Sequence, residues 1–264
     1  MISRNELNDW LKNTFSYENF EDYCFNGLQV EGGDEINKIG FAVSFNSLLA
    51  ERALIKKYDA LIVHHGFFGK NLFQFSGVLK KKIMLLMQGN TSLFGIHLPL
   101  DAHPEIGNNA VLLSWLNCDN LHPFEVGFTA NNAANYSIKD MLQIFELNLG
   151  NHGHCKETEK LSPLTPQIVN GSQAWLYGPK TPKKIACVSG GASDLIEKAA
   201  AAGADTYICG EVKEQTPAIA MDLGMNFINL GHYRSEKAGV QALMQKINTK
   251  FDVDCEFIDI VNVI

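Results

Sequence analysis

The chain repeats itself. Ile39–His65, IGFAVSFNSLLAERALIKKYDALIVHH, and Ile185–Glu211, IACVSGGASDLIEKAAAAGADTYICGE, align without a gap at an offset of 146. Seven of the 27 aligned positions are identical: Ile39/Ile185, Ser47/Ser193, Leu49/Leu195, Glu51/Glu197, Ala53/Ala199, Asp59/Asp205 and Ile62/Ile208. Ordinary residue frequencies would give about two. Each copy reads as an apolar strand, a small-residue turn, a helix and a second apolar strand. A helix-like stretch follows each, GVLKKKIMLLMQGN and QTPAIAMDLGMN, the latter opened by Pro217. Both copies then enter a third strand, SLFGIHLPLD ending at Asp101 and NFINLGHYRSE ending at Glu236. There His97-x-x-x-Asp101 answers His232-x-x-x-Glu236 at an offset of 135.

Such a unit, present twice, predicts an α/β fold: a duplicated α/β repeat with two mixed, largely parallel sheets. Parallel strands joined by right-handed crossovers deliver their carboxyl ends to one edge, where α/β folds bind ligands. His64, His65, Asp101, Glu211, His232 and Glu236 are all expected at such edges, and facing the two edges together would pool them in one cleft. The region from Val126 to Pro182 is rich in turn signals, with a helix expected around Lys139–Leu147. GVQALMQKINTKF reads as a helix and DCEFIDIVNVI as a last strand returning to the first sheet. The expected division is therefore discontinuous. Residues 1–125 and 225–264 form a first α/β domain carrying HHG, HxxxD and GHxxxE, and residues 126–224 form a second.

Composition narrows the function. Hydrophobic residues are 46% and charged residues 19% of the 264, as in globular proteins generally. A net charge of −7 disfavours a nucleic-acid coat, which needs clustered Lys and Arg, but permits a small anionic substrate held by cations. MISRNELNDWLKNTF reads as an amphipathic helix capped by Ser3 and Glu6, not as a signal peptide. No stretch approaches the roughly 20 apolar residues of a membrane span, and a cytoplasmic protein is expected. Cys24, Cys118, Cys155, Cys187, Cys209 and Cys255 include no C-x-x-C pair; small buried hydrophobes fit them better than disulfides or a thiolate site.

The His and carboxylate residues carry the chemistry. Two imidazoles from HHG, a carboxylate from HLPLD, and an imidazole with a carboxylate from GHYRSE make five N/O ligands. That set suits Zn, Fe(II), Mn, Co or Ni better than Ca or Mg, which prefer oxygen cages. Five ligands are many for one open site and natural for two divalent metal cations, which in paired sites stand about 3.5–4 Å apart. Each residue also has a structural reading: His97 as a hydrogen-bonded core histidine, Asp101 as a turn cap, Glu236 as a helix-favouring acid. NHGHC (Asn151–Cys155) reads as an exposed turn. SGGAS (Ser189–Ser193) reads as a tight turn, since it lacks the lysine of a P-loop.

NGLQVEG, VHHG, GIHLPLDAHPEIGNNA, SGGASD, GADTYICGEVKEQT and GHYRSE together resemble the NIF-three-like family, the GTP cyclohydrolase 1 type 2 homologues. The resemblance spans nearly the whole chain, weakest around Asn151–Pro166, and Cys209 stands where such sequences often carry threonine. It implies a duplicated α/β fold, a dinuclear metal centre and a toroidal homohexamer. It also implies His64, His65, Asp101, His232 and Glu236 as metal ligands, with Glu236 bridging and His97 beside the site. His97, His103, Glu211 and Tyr233 are candidates for substrate contact or proton transfer. The expected function is hydrolysis of a small nucleotide-like substrate. The alternative is a non-enzymatic metal-binding, metal-delivering or scaffold protein.

Overall fold

A computed structural model describes residues 1–69, 74–150, 162–169 and 171–262. Two units divide the chain: Met1–Leu100 with Gly239–Ile260, and a second built on Asp101–Ala238. The first unit holds a five-stranded sheet in the order Asp254–Phe257, Lys38–Ser44, Ala60–His65, Ser92–Gly95, Gly27–Val30. Its first three pairings are parallel and the last is antiparallel. Ala60–His65 is apolar until its final two residues because it is a central strand covered on both faces. Helix Ser47–Lys56 starts where the Asn46 side chain accepts the Leu49 N–H and ends at left-handed Lys57. It buries Leu49, Ala50 and Ala53 in a core with Leu61, Val63, Leu86 and Leu93.

The second unit holds seven strands in the order Asp119–Phe124, Gly127–Asn131, Lys184–Val188, Thr206–Cys209, Asn226–Asn229, Ser172–Leu176, Gln167–Val169. Lys184–Val188, Thr206–Cys209 and Asn226–Asn229 pair in parallel, and antiparallel strands flank them. Alternation along these strands builds two cores. Ile185, Ile208 and Ile228 join Leu113, Phe128 and Phe145 in one cluster, while Ala186, Tyr207 and Phe227 join Trp175 and Val188 in the other. Helix Ile138–Leu149, near the expected position, opens with a capping box between Ser137 and Asp140.

Both copies of the repeat fold alike, and two of their shared residues have matching duties. Asp59 Oδ2 accepts the backbone N–H groups of Asn37 and Lys38, and Asp205 Oδ2 accepts that of Lys183. Ala53 and Ala199, both buried, let each helix lie close on its sheet.

Two expectations are corrected. The domain boundaries shift, because Asp119–Phe124 pairs with Gly127–Asn131 and Asn226–Asn229 pairs with Thr206–Cys209. Residues 101–125 and the GHxxxE element thus lie in the second unit, not the first. The third strands are also shorter than expected. They stop at Gly95 and Asn229, and the helical turns Leu98–Asp101 and His232–Ser235 follow. A four-residue interval spans about 13 Å along a strand but returns to the same face of a helical turn.

The ladders also refine the repeat. Ala60 pairs with Ser92 and Thr206 with Asn226, so the third strands are offset by 134, one less than the His-x-x-x-acid motifs. His97 therefore corresponds in the fold to Gly231. Among the described residues no helix is long and apolar enough to cross a membrane, and Cys24, Cys118, Cys187, Cys209 and Cys255 are free thiols. NHGHC lies outside the described residues.

Phe227 is fully buried, with its ring centroid 5.6 Å from that of Trp175 and 6.0 Å from that of Tyr207. Phe227→Ala should cost about 3–5 kcal/mol of unfolding free energy through lost contact and the cavity left behind. Urea titration followed by far-UV circular dichroism checks this.

Candidate metal centre

In the first unit, strand Ala60–His65 carries His64 and His65 out at its carboxyl end, and His97 follows the neighbouring strand. One ligand atom from each of the three lies within 4.8 Å of the others. Their rings are held by specific partners. His64 is fully buried, and its Nδ1 lies 2.9 Å from the Ile96 carbonyl oxygen. A carbonyl only accepts, so Nδ1 carries the proton and Nε2 presents its lone pair. His65 Nδ1 lies 3.0 Å from the Ser44 hydroxyl.

His97 is held by a residue that sequence reasoning missed. Its Nδ1 lies 2.9 Å from Asp22 Oδ1, and its backbone N–H donates to Asn26 Oδ1 at 2.7 Å. Asp22, only 4% exposed, also accepts from the Cys24 and Leu98 N–H groups and from Asn26 Nδ2. Burial pushes its carboxyl up, but the bonds from His97, Asn26 and Cys24 outweigh that and hold it well below the usual carboxylate range. The available signal was Asp22 standing four residues before the Asn of NGLQVEG.

In the second unit, His232 and Glu236 are one helical turn apart, with His232 Nε2 3.0 Å from Glu236 Oε1. His232 Nδ1 donates to Glu211 Oε1 at 2.5 Å. Burial disfavours the imidazolium, yet Glu236 and then Glu211 overcome it and raise the His232 pKa to about 9. Glu211 therefore does what a carboxylate behind a metal-binding histidine does: it fixes the ring and its tautomer. Glu236 is buried at 3% exposure.

The SGGAS turn serves this cluster. An added Cβ at Gly190, whose φ is +68°, would stand 2.5 Å from Glu236 Oε1 and 3.2 Å from His232 Nε2. One at Gly191 would stand 3.0 Å from Glu211 Oε2. The Gly190 N–H donates to Ser235 Oγ, so this donor is committed within the fold, and the neighbouring carboxylates oppose an anion. Cys209 donates its thiol to the Glu211 carbonyl.

Asp101, also in the second unit, is buried. Its Oδ1 accepts from Asn108 Nδ2 at 2.8 Å and Ser189 Oγ at 2.9 Å, while Asn109 Nδ2 donates to its backbone oxygen. Asn108, Asn109 and Ser189 were missed as positioning residues. His103 caps a turn, its Nδ1 accepting the Glu105 and Ile106 N–H groups, and Tyr233 is buried with the Lys237 ammonium 5.9 Å from its ring centroid. The first unit thus offers three imidazoles and the second an imidazole with carboxylates, and donors of these kinds fit a borderline divalent cation.

The sequence profile of Duf34/NIF3 (NGG1p interacting factor 3) matches residues 2–262. A Haemophilus influenzae protein named GTP cyclohydrolase 1 type 2 homolog is 36% identical over 258 residues, covering 97% of this chain and 98% of its own. An Archaeoglobus fulgidus protein of the same name is 33% identical and covers 97% of each. Among solved structures, protein ybgI, described as of unknown function, superposes with a TM-score of 0.85 at 30% identity over all of both chains. TTHA1606 from Thermus thermophilus gives 0.86 at 29% identity over 99% of each. Reduced HcgD from Methanocaldococcus jannaschii shares the fold, with a TM-score of 0.80 at 21% identity.

Two outcomes are expected. Because the His232 pKa is raised from 6.5 to about 9, its ion pairs stabilise the chelator-treated protein fully below about pH 6.5. That contribution is lost as the pH rises through about 9, and His232→Gln should flatten this part of the stability profile in denaturant melts. Asp22→Ala leaves four buried donors without their acceptor and should cost about 3 kcal/mol, read from the same melts.

Proposed function

Because the chain belongs to the Duf34/NIF3 family, we propose that it is a hydrolase of a small nucleotide-like substrate working with two divalent cations. The observation that supports this most is the trio His64, His65 and His97, whose ligand atoms lie within 4.8 Å of one another. In this reading His64 and His65 hold the cations together with Asp101, His232 and Glu236, the set implied by the family resemblance. Nitrogen and oxygen donors suit Zn, Fe(II), Mn, Co or Ni. When bound, the cations would supply Lewis-acid activation of water and of the substrate's electrophilic centre.

The chain's own residues have distinct parts in this scheme. The Ile96 carbonyl orients His64, and Glu211 orients His232. His232 Nε2 shares its proton with Glu236 and would have to release it to hold a cation, so metal affinity would rise with pH up to about 9. His97 has Nδ1 committed to Asp22, which fixes the ring and leaves Nε2 as the candidate proton acceptor. Asp101 is held in place by Ser189 and Asn108. The relatives' printed name points to a guanine nucleotide as the first substrate to test.

Metal-loaded protein should turn over GTP. His65→Ala and Glu236→Ala should each lower kcat/KM by at least about a hundredfold and reduce bound metal in elemental analysis. Glu211→Gln should weaken metal affinity by about 10–100-fold. Turnover and metal content unchanged in both alanine variants would rule out this centre. Exchangeable metal without turnover of any nucleotide would favour a metal-delivery role instead.

A further inference from the structure

Beside the histidine trio, and within the same unit, stands a group of aromatic rings with no role in the core. Tyr23 is 64% exposed, Phe25 58% and Phe68 38%. Tyr23 and Phe68 stack on each other, with centroids 5.3 Å apart and planes inclined by 30°. Both meet the His97 ring edge-on, at 5.2 Å and 5.4 Å, and Phe68 lies 5.7 Å from His65.

These rings sit on fastened backbone. Cys24 and Phe68 form an antiparallel bridge, and the Gly69 N–H donates to the Tyr23 carbonyl at 3.1 Å. Gln29 ties the two loops together: its Nε2 donates to the carbonyls of Phe25 and Phe67, and its Oε1 accepts the Phe67 N–H. Gly66 makes room for this clasp, since an added Cβ would stand 2.3 Å from Gln29 Oε1. Large apolar rings held in water on an ordered frame are a preorganised binding surface, because little freedom remains to be lost when a ligand settles.

We infer that Tyr23 and Phe68 form a stacking subsite for a planar heteroaromatic ring of the nucleobase class, beside the histidine trio. The inference rests on the proposed function in that the bound ring would be part of the substrate of that centre. Its chemistry is local. A flat ring gains from exposed π-faces whatever its substituents, and stacking on one such side chain is worth about five- to a hundredfold in affinity per base. The imidazoles bordering the patch suit a ring bearing ring nitrogens and carbonyls better than an aliphatic protein surface. The Tyr23–His97 and Phe68–His97 contacts would bring that ring next to the group proposed as proton acceptor.

The test separates ring binding from turnover. Guanosine and adenosine are titrated calorimetrically into chelator-treated full-length protein, with ribose 5-phosphate as the ring-free control. Both nucleosides should bind, more tightly than the control. Tyr23→Ala and Phe68→Ala should each weaken this binding by at least about tenfold, while Tyr23→Phe and Phe68→Tyr stay within about twofold. Tyr23→Leu, which keeps apolar volume without a π-face, should behave like the alanine variant, and thermal melts identify folded variants. Metal content by elemental analysis of metal-loaded samples, taken without chelator, should be the same in parent and variants, so loss of the metal reading and loss of this one leave different marks. No nucleoside binding by the parent protein, or equal affinity in folded Tyr23→Leu and Phe68→Ala variants, would overturn the inference.

Discussion

Strand register in the five-stranded sheet is the constraint from which the first histidine cluster follows. Ser44 pairs with His65, and the two side chains meet at 3.0 Å because the parallel ladder places them side by side. A slip of one residue would exchange the faces of every side chain on Ala60–His65, exposing the buried imidazole of His64 in place of that of His65. The apolar run Ala60–Val63 prevents the slip, since its residues pack on both faces against the core. Burial of four ordinary side chains thus fixes the direction of two unusual ones. The glycines at the second cluster are constrained as tightly: Gly190 lies against Glu236 so closely that no side chain fits between them.

Electrostatics then decides the state of each imidazole. His64 faces a carbonyl, His97 a carboxylate, and His232 two carboxylates. These partners differ in charge as well as in position. A carbonyl only fixes the tautomer, whereas two carboxylates hold His232 as an imidazolium to about pH 9 despite burial. The carboxylates of the second cluster that favour a proton on His232 would favour a cation for the same reason, and the two would compete for one nitrogen.

Much of this was legible in the sequence because duplication doubles the signal. Ile62/Ile208 and Ala53/Ala199 mark buried strand and helix faces, and Asp59/Asp205 mark the clasp at the start of each first strand. Less legible was where the third strands end. LFGIHLPL is apolar but for His97, and neither strand nor helix periodicity arbitrates over so short a run. The turns Leu98–Asp101 and His232–Ser235 form there, and the His-x-x-x-acid interval is helical. Domain boundaries failed for a related reason, since antiparallel flanking strands carry no repeat signature. Asp22 was invisible because its importance lies in contacts to residues about 75 positions away.

The duplication also shows what was kept and what was changed. At the offset of 146, His64 and His65 correspond to Gly210 and Glu211. One copy ends its second strand in two imidazoles; the other ends it in a glycine and a carboxylate. Gly210 is held to its size by Ser235, whose Oγ would stand 2.5 Å from an added Cβ, while Glu211 reaches His232. The residues that hold strands together remained alike, as Asp59 and Asp205 show. Those at the strand ends diverged: two imidazoles in one copy, and in the other a glycine that makes room and a carboxylate that orients His232. Divergence at strand ends, on a scaffold kept constant by its core, is how a repeated unit comes to carry different donor chemistry in its two copies.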